Sequence, residues 1–128
     1  MKKKVEKKFN SGTWTESRYF SQIRSALRNA FRYWKPMMEV LEDASRPSQS
    51  ENKRLKKEYQ CFSCKKWHPR KNVEIDHIVE CGSLKTYEDI VPFIQRLACE
   101  DKECYNILCK PCHKTKTQEY KNTKLLEP

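Results

Sequence analysis

Two pairs of cysteines constrain this chain more than any other feature of its sequence. Each pair has the form Cys-x-x-Cys, the first at Cys61 and Cys64 and the second at Cys109 and Cys112. A tight turn at each pair lets two sulfurs reach one ion, and two pairs complete the four-thiolate tetrahedron that zinc favours. We therefore predict a structural Zn²⁺ at these cysteines. Redox dithiols are the weaker alternative because neither pair lies in a βαβ context.

The length and polarity of the chain also favour such a metal staple. The sequence has 128 residues, of which 37% are hydrophobic and 34% are charged, so a single compact domain would have a modest core. The 44 residues between the two pairs predict a sizeable element whose base the metal clamps. For the other three cysteines, Cys81, Cys99 and Cys104, we expect a role as small buried hydrophobic residues, with a second metal site as the weaker alternative.

Charge is distributed unevenly along the sequence. The formal net charge is +10, yet residues 74–103 hold eight acidic residues and only three basic ones. A basic body around one acidic stretch suits a protein that grips a polyanionic backbone and keeps carboxylates for a metal. Lysines that merely face water are the simpler alternative. Charge alone does not separate DNA from RNA or an anionic membrane.

The N-terminal sequence MKKKVEKKFN is basic and has no apolar stretch behind it, so we expect no secretory signal. No apolar run approaches the roughly 18 residues of a membrane span. We therefore expect a reducing cytoplasmic location, in which cysteines more often bind metal than form disulfides.

Hydrophobic periodicity predicts an α+β protein in three parts. These are a flexible basic arm at 1–12, a helical extension with a basic linker at 13–58, and a zinc-stapled core at 59–128. Within them we expect helices over 14–34, 36–44 and 86–98, and a short helix from Cys112. The helix over 86–98 should begin with a capping box between Thr86 and Asp89. Between the helices we expect a loop over 45–58 and a strand at 73–80.

Three arginines at four-residue intervals, Arg24, Arg28 and Arg32, would form a ridge along the first helix. Such a ridge either follows a phosphate backbone or simply faces solvent. We carry it as a candidate DNA-binding surface.

The histidines supply the candidate chemistry. His77 follows Asp76 in the strand-like VEIDHIVE, and His113 directly follows the last cysteine of the second pair. In a regular strand Glu74 and Asp76 point to one face and His77 to the other, so one member of the Asp76–His77 pair can bind a metal while the other faces water. If the cysteine clamp brings His113 to this strand, a carboxylate and an imidazole form the sparse, open ligand set that metal-assisted phosphodiester cleavage requires.

These motifs, in the order CFSC, VEIDHIVECGS and NILCKPCHKTKT, resemble the zinc-containing HNH endonucleases, especially small phage enzymes encoded near DNA-packaging genes. The resemblance covers residues 59–117, and residues 14–47 look less specifically like the N-terminal extension of those proteins. It implies a ββα-metal core, in which a two-stranded hairpin packs on a helix around one divalent ion.

Carried over to this sequence, the resemblance implies His77 as general base, and Asp76 and His113 as ligands of a catalytic Mg²⁺, Mn²⁺ or Ni²⁺. The four cysteines match the structural zinc, and Lys116 matches a lysine of the family's CHxxKT ending, which we carry as a DNA contact or a solvated residue. Implied partners are DNA and phage terminase subunits in a bacterial host cell.

One position departs from the family pattern. The family's middle asparagine stands five residues before the third zinc cysteine, where this chain has Cys104. Asn106 lies two residues further on, and we carry it as the candidate replacement. Two other hypotheses stay open: a non-catalytic zinc-stabilised DNA-binding module, and a packaging accessory that docks on a terminase. Oligomeric state and DNA preference are left open.

Overall fold

The computed structural model describes residues 4–126, apart from the side chains at positions 124 and 126. It is an α+β protein with two small antiparallel sheets. The helices are α1 (Glu16–Ala30), α2 (Lys35–Asp43), α3 (Ile90–Leu97) and α4 (Lys110–Leu126). The strands are β1 (Ser45–Pro47), β2 (Lys57–Gln60), β3 (Trp67–His68), β4 (Val73–His77) and β5 (Tyr105–Cys109). Within the described part of the chain, no helix has the length and apolar character needed to cross a bilayer.

Contacts group the described chain into two compact units, one from the stretches 1–34 and 79–99 and the other from 35–78 and 100–128. These units do not coincide with the predicted boundaries after residues 12 and 58, which stay predictions. The four cysteines, Asp76, His77 and His113 all belong to the second unit.

In the first unit, α1 and α3 pack around a small apolar core. Thr15 caps α1 by accepting a hydrogen bond from the Arg18 backbone N–H at 3.2 Å, as its hydroxyl-bearing side chain suits. Phe20 and Phe93 are buried together with Cys81, which is the small buried residue we predicted. The predicted capping box at the start of the α3 region is confirmed.

The helix α1 is shorter than the predicted range of 14–34. It ends at Ala30, and a tight turn follows in which the Arg32 backbone N–H donates to the Asn29 carbonyl. The Trp34 indole N–H then donates to the Cys99 carbonyl at 2.7 Å. Hydrophobic periodicity within the helix does not predict this long-range bond. Arg32 is therefore outside the helix, and the predicted three-residue ridge contains only Arg24 and Arg28.

Residues 1–12 were predicted to be a flexible arm. Residues 1–3 lie outside the described part, and residues 4–8 form no helix or strand. Phe9 pairs with Trp14 in an isolated bridge and stacks on Tyr19 with ring centroids 4.4 Å apart, so it is anchored.

In the second unit, the predicted loop over 45–58 is partly wrong. Its two ends form β1 and β2, which pair with each other, and β2 also pairs with β3. The Arg46 guanidinium lies 3.8 Å from the centroid of the Trp67 ring and donates to Glu58 at 2.6 Å. These cross-strand contacts stabilise strands whose polar sequence shows no apolar alternation.

The strands β4 and β5 form the second sheet, and α4 continues directly from β5 and packs on both. Each residue from Val73 to His77 faces one from Cys109 back to Tyr105, so Asp76 is opposite Asn106 and His77 is opposite Tyr105. The strand β4 is three residues shorter than predicted, and α4 begins at Lys110, before the predicted start at Cys112. This pairing sets the positions of all the candidate site residues on β4.

Candidate functional site

The four cysteines of the two pairs converge. The sulfurs of Cys61, Cys64, Cys109 and Cys112 all lie within 4.8 Å of one another. The Sγ atoms of Cys64 and Cys109 are 3.9 Å apart, which is close to the roughly 3.8 Å edge of a tetrahedron with zinc–sulfur bonds of about 2.3 Å. The donor set and its spacing therefore fit a structural metal ion such as zinc.

Local backbone geometry builds the first half of this cluster. After Cys64 the chain turns through Lys65, whose φ is 63°, and the Lys65 backbone N–H donates to the Cys61 carbonyl at 3.0 Å. The Cys64 backbone N–H lies 3.5 Å from the Cys61 sulfur. The second half comes from the last residue of β5 and the first turn of α4. A strand end and a turn thus bring together two cysteine pairs that 44 residues separate in the sequence.

The pKa values of two thiols in the cluster are shifted in opposite directions. Burial opposes ionisation of Cys61, but bonds from the backbone N–H groups of Cys109, Cys64 and Ser63 outweigh it and lower its pKa to about 6. At Cys109 burial dominates and raises the pKa to about 12. The amides around Cys61 thus favour a thiolate, the form that binds a metal.

Two of the three cysteines outside the cluster are not free thiols. Cys99 and Cys104 are disulfide-bonded, whereas Cys81 is a free buried cysteine. The expectation of three small buried hydrophobic cysteines is therefore wrong for two of them, because sequence spacing did not reveal the disulfide chemistry.

His113 lies between two carboxylates of β4. Its Nδ1 is 2.7 Å from Oε2 of Glu74, and its Nε2 is 3.5 Å from Oδ1 of Asp76. A carboxylate oxygen only accepts, so Nδ1 carries the proton in the shorter contact. In a neutral ring, Nε2 then offers its lone pair on the side of Asp76. This is the arrangement in which a histidine can act as a metal ligand.

Asp76 is the buried charge at the centre of this arrangement, with 2% of its surface exposed. The Lys116 ammonium donates to its Oδ2 at 2.5 Å and to the His77 carbonyl at 2.8 Å. A carboxylate withdrawn from water requires such a partner, since an unpaired buried charge is strongly destabilising. Its Oδ1 is the oxygen that faces His113.

A cleft of about 460 Å³ opens beside Asp76. Asn106 and Lys116 also line it, as do the exposed Phe62 and Ile78 at its apolar part. The cleft thus places a carboxylate, an amide and an ammonium group beside an apolar surface.

The predicted site residues are only partly brought together. Asp76, Asn106 and Lys116 share the cleft, and His113 contacts Asp76. His77 lies at the end of β4, on the face opposite Asp76, where its ring lies edge-on to Tyr105 with centroids 5.2 Å apart. The strand alternation predicted this separation of Asp76 from His77.

The candidate DNA-binding arginines all lie in the first unit and are exposed. Arg24 lines a cleft together with Lys85, whereas the Arg28 guanidinium lies 5.5 Å from the centroid of the Phe93 ring. The Arg32 guanidinium lies over Tyr33 at 5.3 Å. Two of the three are therefore also involved in contacts with aromatic rings.

Glu74 is the residue that the sequence analysis missed. Alternation already placed it on the same face of β4 as Asp76, and this was the available signal. Its contact with His113 depends on where α4 lies against the sheet, which periodicity does not report. No protein-family model, no curated protein and no solved structure matches the chain.

Proposed function

We propose that this protein is a metal-dependent DNA endonuclease of the HNH type. The observation that carries the proposal is the convergence of Asp76 and His113, whose Oδ1 and Nε2 atoms are 3.5 Å apart. Asp76 also lines a cleft of about 460 Å³. The buried carboxylate supplies an oxygen ligand and the oriented imidazole supplies a nitrogen ligand. Together they suit a divalent ion with open positions for water and phosphate. The ββα-metal description of β4, β5 and α4 belongs to the same proposal.

Each residue then has a defined task. Asp76 and His113 hold the ion, and Glu74 orients His113 through Nδ1. His77 removes a proton from the attacking water, whose oxygen bonds to phosphorus as the bond between phosphorus and the 3′ oxygen breaks. The 3′ oxygen takes a proton from solvent, so the products carry a 5′-phosphate and a 3′-hydroxyl. Asn106 supports the strand pair opposite Asp76. When bound, a Mg²⁺, Mn²⁺ or Ni²⁺ ion offsets the phosphate charge.

The four-cysteine cluster has a structural task in this proposal. It holds Zn²⁺ and clamps the knuckle at Cys61–Cys64 to the junction of β5 and α4, and His113 is the residue after Cys112. Zinc therefore fixes the base of α4, from which both His113 and Lys116 extend. The stabilisation that it supplies compensates for a small core.

Plasmid cleavage tests the enzymatic proposal. Zinc-loaded protein is incubated with supercoiled plasmid and Mg²⁺, Mn²⁺ or Ni²⁺, beside the variants His77→Ala, Asp76→Ala and His113→Ala. We expect nicked or linear DNA with the unmodified chain, and a loss of at least about a hundredfold in rate with each variant. Glu51→Ala, at an exposed glutamate between β1 and β2, is the control and retains cleavage. Equal plasmid patterns for the unmodified chain and His77→Ala under every metal would refute the proposal.

A second candidate is a non-catalytic zinc-stabilised DNA-binding module. The packing of His77 on Tyr105, on the face opposite Asp76, favours it. It requires salt-sensitive DNA binding that is unchanged when Asp76 and His113 are both replaced by alanine, with no cleavage by the unmodified chain. Cleavage that disappears in this double variant would eliminate the module.

Docking on a phage terminase is a further proposal that rests on the resemblance alone. It predicts that terminase subunits retain this protein in a pull-down at physiological salt. Terminase subunits that do not retain the protein would contradict it.

A further inference from the structure

Lys116 holds a position that a metal ion could otherwise take. Its ammonium contacts three oxygens: Oδ2 of Asp76 at 2.5 Å, the His77 carbonyl at 2.8 Å and the Ile78 carbonyl at 3.3 Å. An ammonium has three N–H donors, and each therefore has one protein acceptor. One carboxylate oxygen and two carbonyl oxygens are the ligand types that hard cations prefer.

We propose that Lys116 acts as a built-in cation that restricts the site to a single divalent ion. This inference rests on the proposed function, in which Asp76 and His113 hold that ion. The two oxygens of Asp76 then have different tasks, since Oδ1 faces His113 and Oδ2 faces the ammonium. The positive charge fills the three-oxygen cradle and repels a second ion that approaches it.

The position of Lys116 in the fold supports a task at Asp76. Lysine 116 is one helical turn beyond His113, so the two side chains lie on the same face of α4. They reach the two oxygens of one buried carboxylate, with His113 at Oδ1 and Lys116 at Oδ2 of Asp76. A DNA contact, which we predicted for Lys116, would require its ammonium to leave these acceptors.

An ordinary ion pair between α4 and β4 is the alternative. It would stabilise the fold without any effect on the number of ions bound. Because this alternative also predicts lower stability when Lys116 is changed, stability does not distinguish the two, whereas metal stoichiometry does.

The experiment counts Mn²⁺ ions by the electron paramagnetic resonance signal of free Mn²⁺, titrated with zinc-loaded full-length protein. The variants are Lys116→Met, which removes the charge, and Lys116→Gln, which removes the charge and keeps a hydrogen-bond donor. Lys114→Met is the matched control because Lys114 is an exposed lysine of the same helix. Zinc content and circular dichroism verify the fold of each variant.

We expect one Mn²⁺ per unmodified chain and per Lys114→Met chain, and two per Lys116→Met or Lys116→Gln chain. Asp76→Asn combined with Lys116→Met should lose the added ion. One Mn²⁺ in the unmodified chain and in both Lys116 variants would overturn this inference and leave the proposed function intact. No Mn²⁺ in any of the proteins would overturn both.

Discussion

The Nδ1 atom of His113 lies 2.7 Å from Oε2 of Glu74, and this contact directs the other ring nitrogen toward Asp76. His113 of α4 thereby lies between the carboxylates of Glu74 and Asp76, two alternate residues of β4. In metal sites, such a carboxylate fixes the tautomer and the orientation of the histidine ligand.

The first prediction concerns Glu74. We expect Glu74→Ala to weaken Mn²⁺ binding by about 10- to 100-fold, because the ring of His113 loses its orientation, and Glu74→Gln to have a smaller effect. Isothermal titration of zinc-loaded protein with Mn²⁺ measures this. Glu88→Ala, at an exposed glutamate of the first unit, is the control. Unchanged affinity in Glu74→Ala would show that the contact does not serve a metal.

The second prediction concerns the cysteine cluster. Because a metal that holds two distant segments contributes its binding energy to folding, we expect a strong chelator to unfold the second unit. Cys64→Ser should lower the zinc content below one ion per chain and give the same loss of structure. Zinc analysis and thermal melting by circular dichroism measure both effects.

The control for the cluster is Cys81→Ala. Cys81 lies in the apolar core of the first unit, where burial raises its pKa, and it takes no part in the cluster. This variant should retain one zinc. A melting curve of the unmodified protein that the chelator leaves unchanged would contradict a structural metal.

The third prediction concerns pH. Metal binds thiolates, so protons compete with it and zinc affinity should fall on acidification. The pKa of Cys61 is lowered from 9.0 to about 6, so in the metal-free fold this thiol ionises well before an ordinary cysteine. Its contribution to the free energy of unfolding is full above pH 9 and is lost as the pH falls through about 6.

Competition with a zinc-binding dye between pH 5 and 8 measures the affinity. We expect the steepest loss of zinc near and below pH 6, where Cys61 also takes up its proton. A zinc affinity that is independent of pH across this range would show that the cysteines do not supply the ligands.

The fourth prediction concerns the arginines of the first unit. Replacement of Arg24 by alanine should weaken DNA binding and reduce the slope of log affinity against log salt by about 0.9 if it contacts one phosphate. Arg28→Ala should have less effect on the slope, since its guanidinium lies over the Phe93 ring. Fluorescence anisotropy with a short duplex at several salt concentrations measures both. Equal slopes for Arg24→Ala and the unmodified chain would remove Arg24 from the DNA-binding surface.

Local sequence rules predicted several parts of the fold and the site. The spacing of the cysteine pairs predicted the cluster, and the Thr86 and Asp89 pattern predicted a capping box that the structure contains. Alternation along β4 predicted that Glu74 and Asp76 share a face, and both contact His113. The turn at each cysteine pair, the capping box and the shared face of β4 depend on neighbours within a few residues, so the sequence carries them directly. The meeting of the two pairs, and of His113 with β4, depends on how distant segments pack.

Other features depend on contacts between distant segments. The stretch 45–58 was predicted as a loop because its residues are polar, yet pairing with neighbouring strands gives β1 and β2. The end of α1 at Ala30 and the position of Arg32 outside the helix were missed for the same reason. Strand pairing forms β1 and β2, and the turn after α1 is followed by the bond from the Trp34 indole to the Cys99 carbonyl. Contacts of this kind leave no periodic pattern in the sequence.

The amino-acid sequence by itself determined which residues could share a face or a turn: the thiols of each pair, the carboxylates of β4, and His113 and Lys116 on α4. Only the tertiary structure decided that α4 lies against β4 so that His113 meets Glu74 and Asp76, and that Lys116 reaches the other oxygen of the same carboxylate. The physical reason is distance along the chain. Periodicity reports the direction of a side chain relative to its own element, whereas the meeting of two elements depends on the packing of the whole unit.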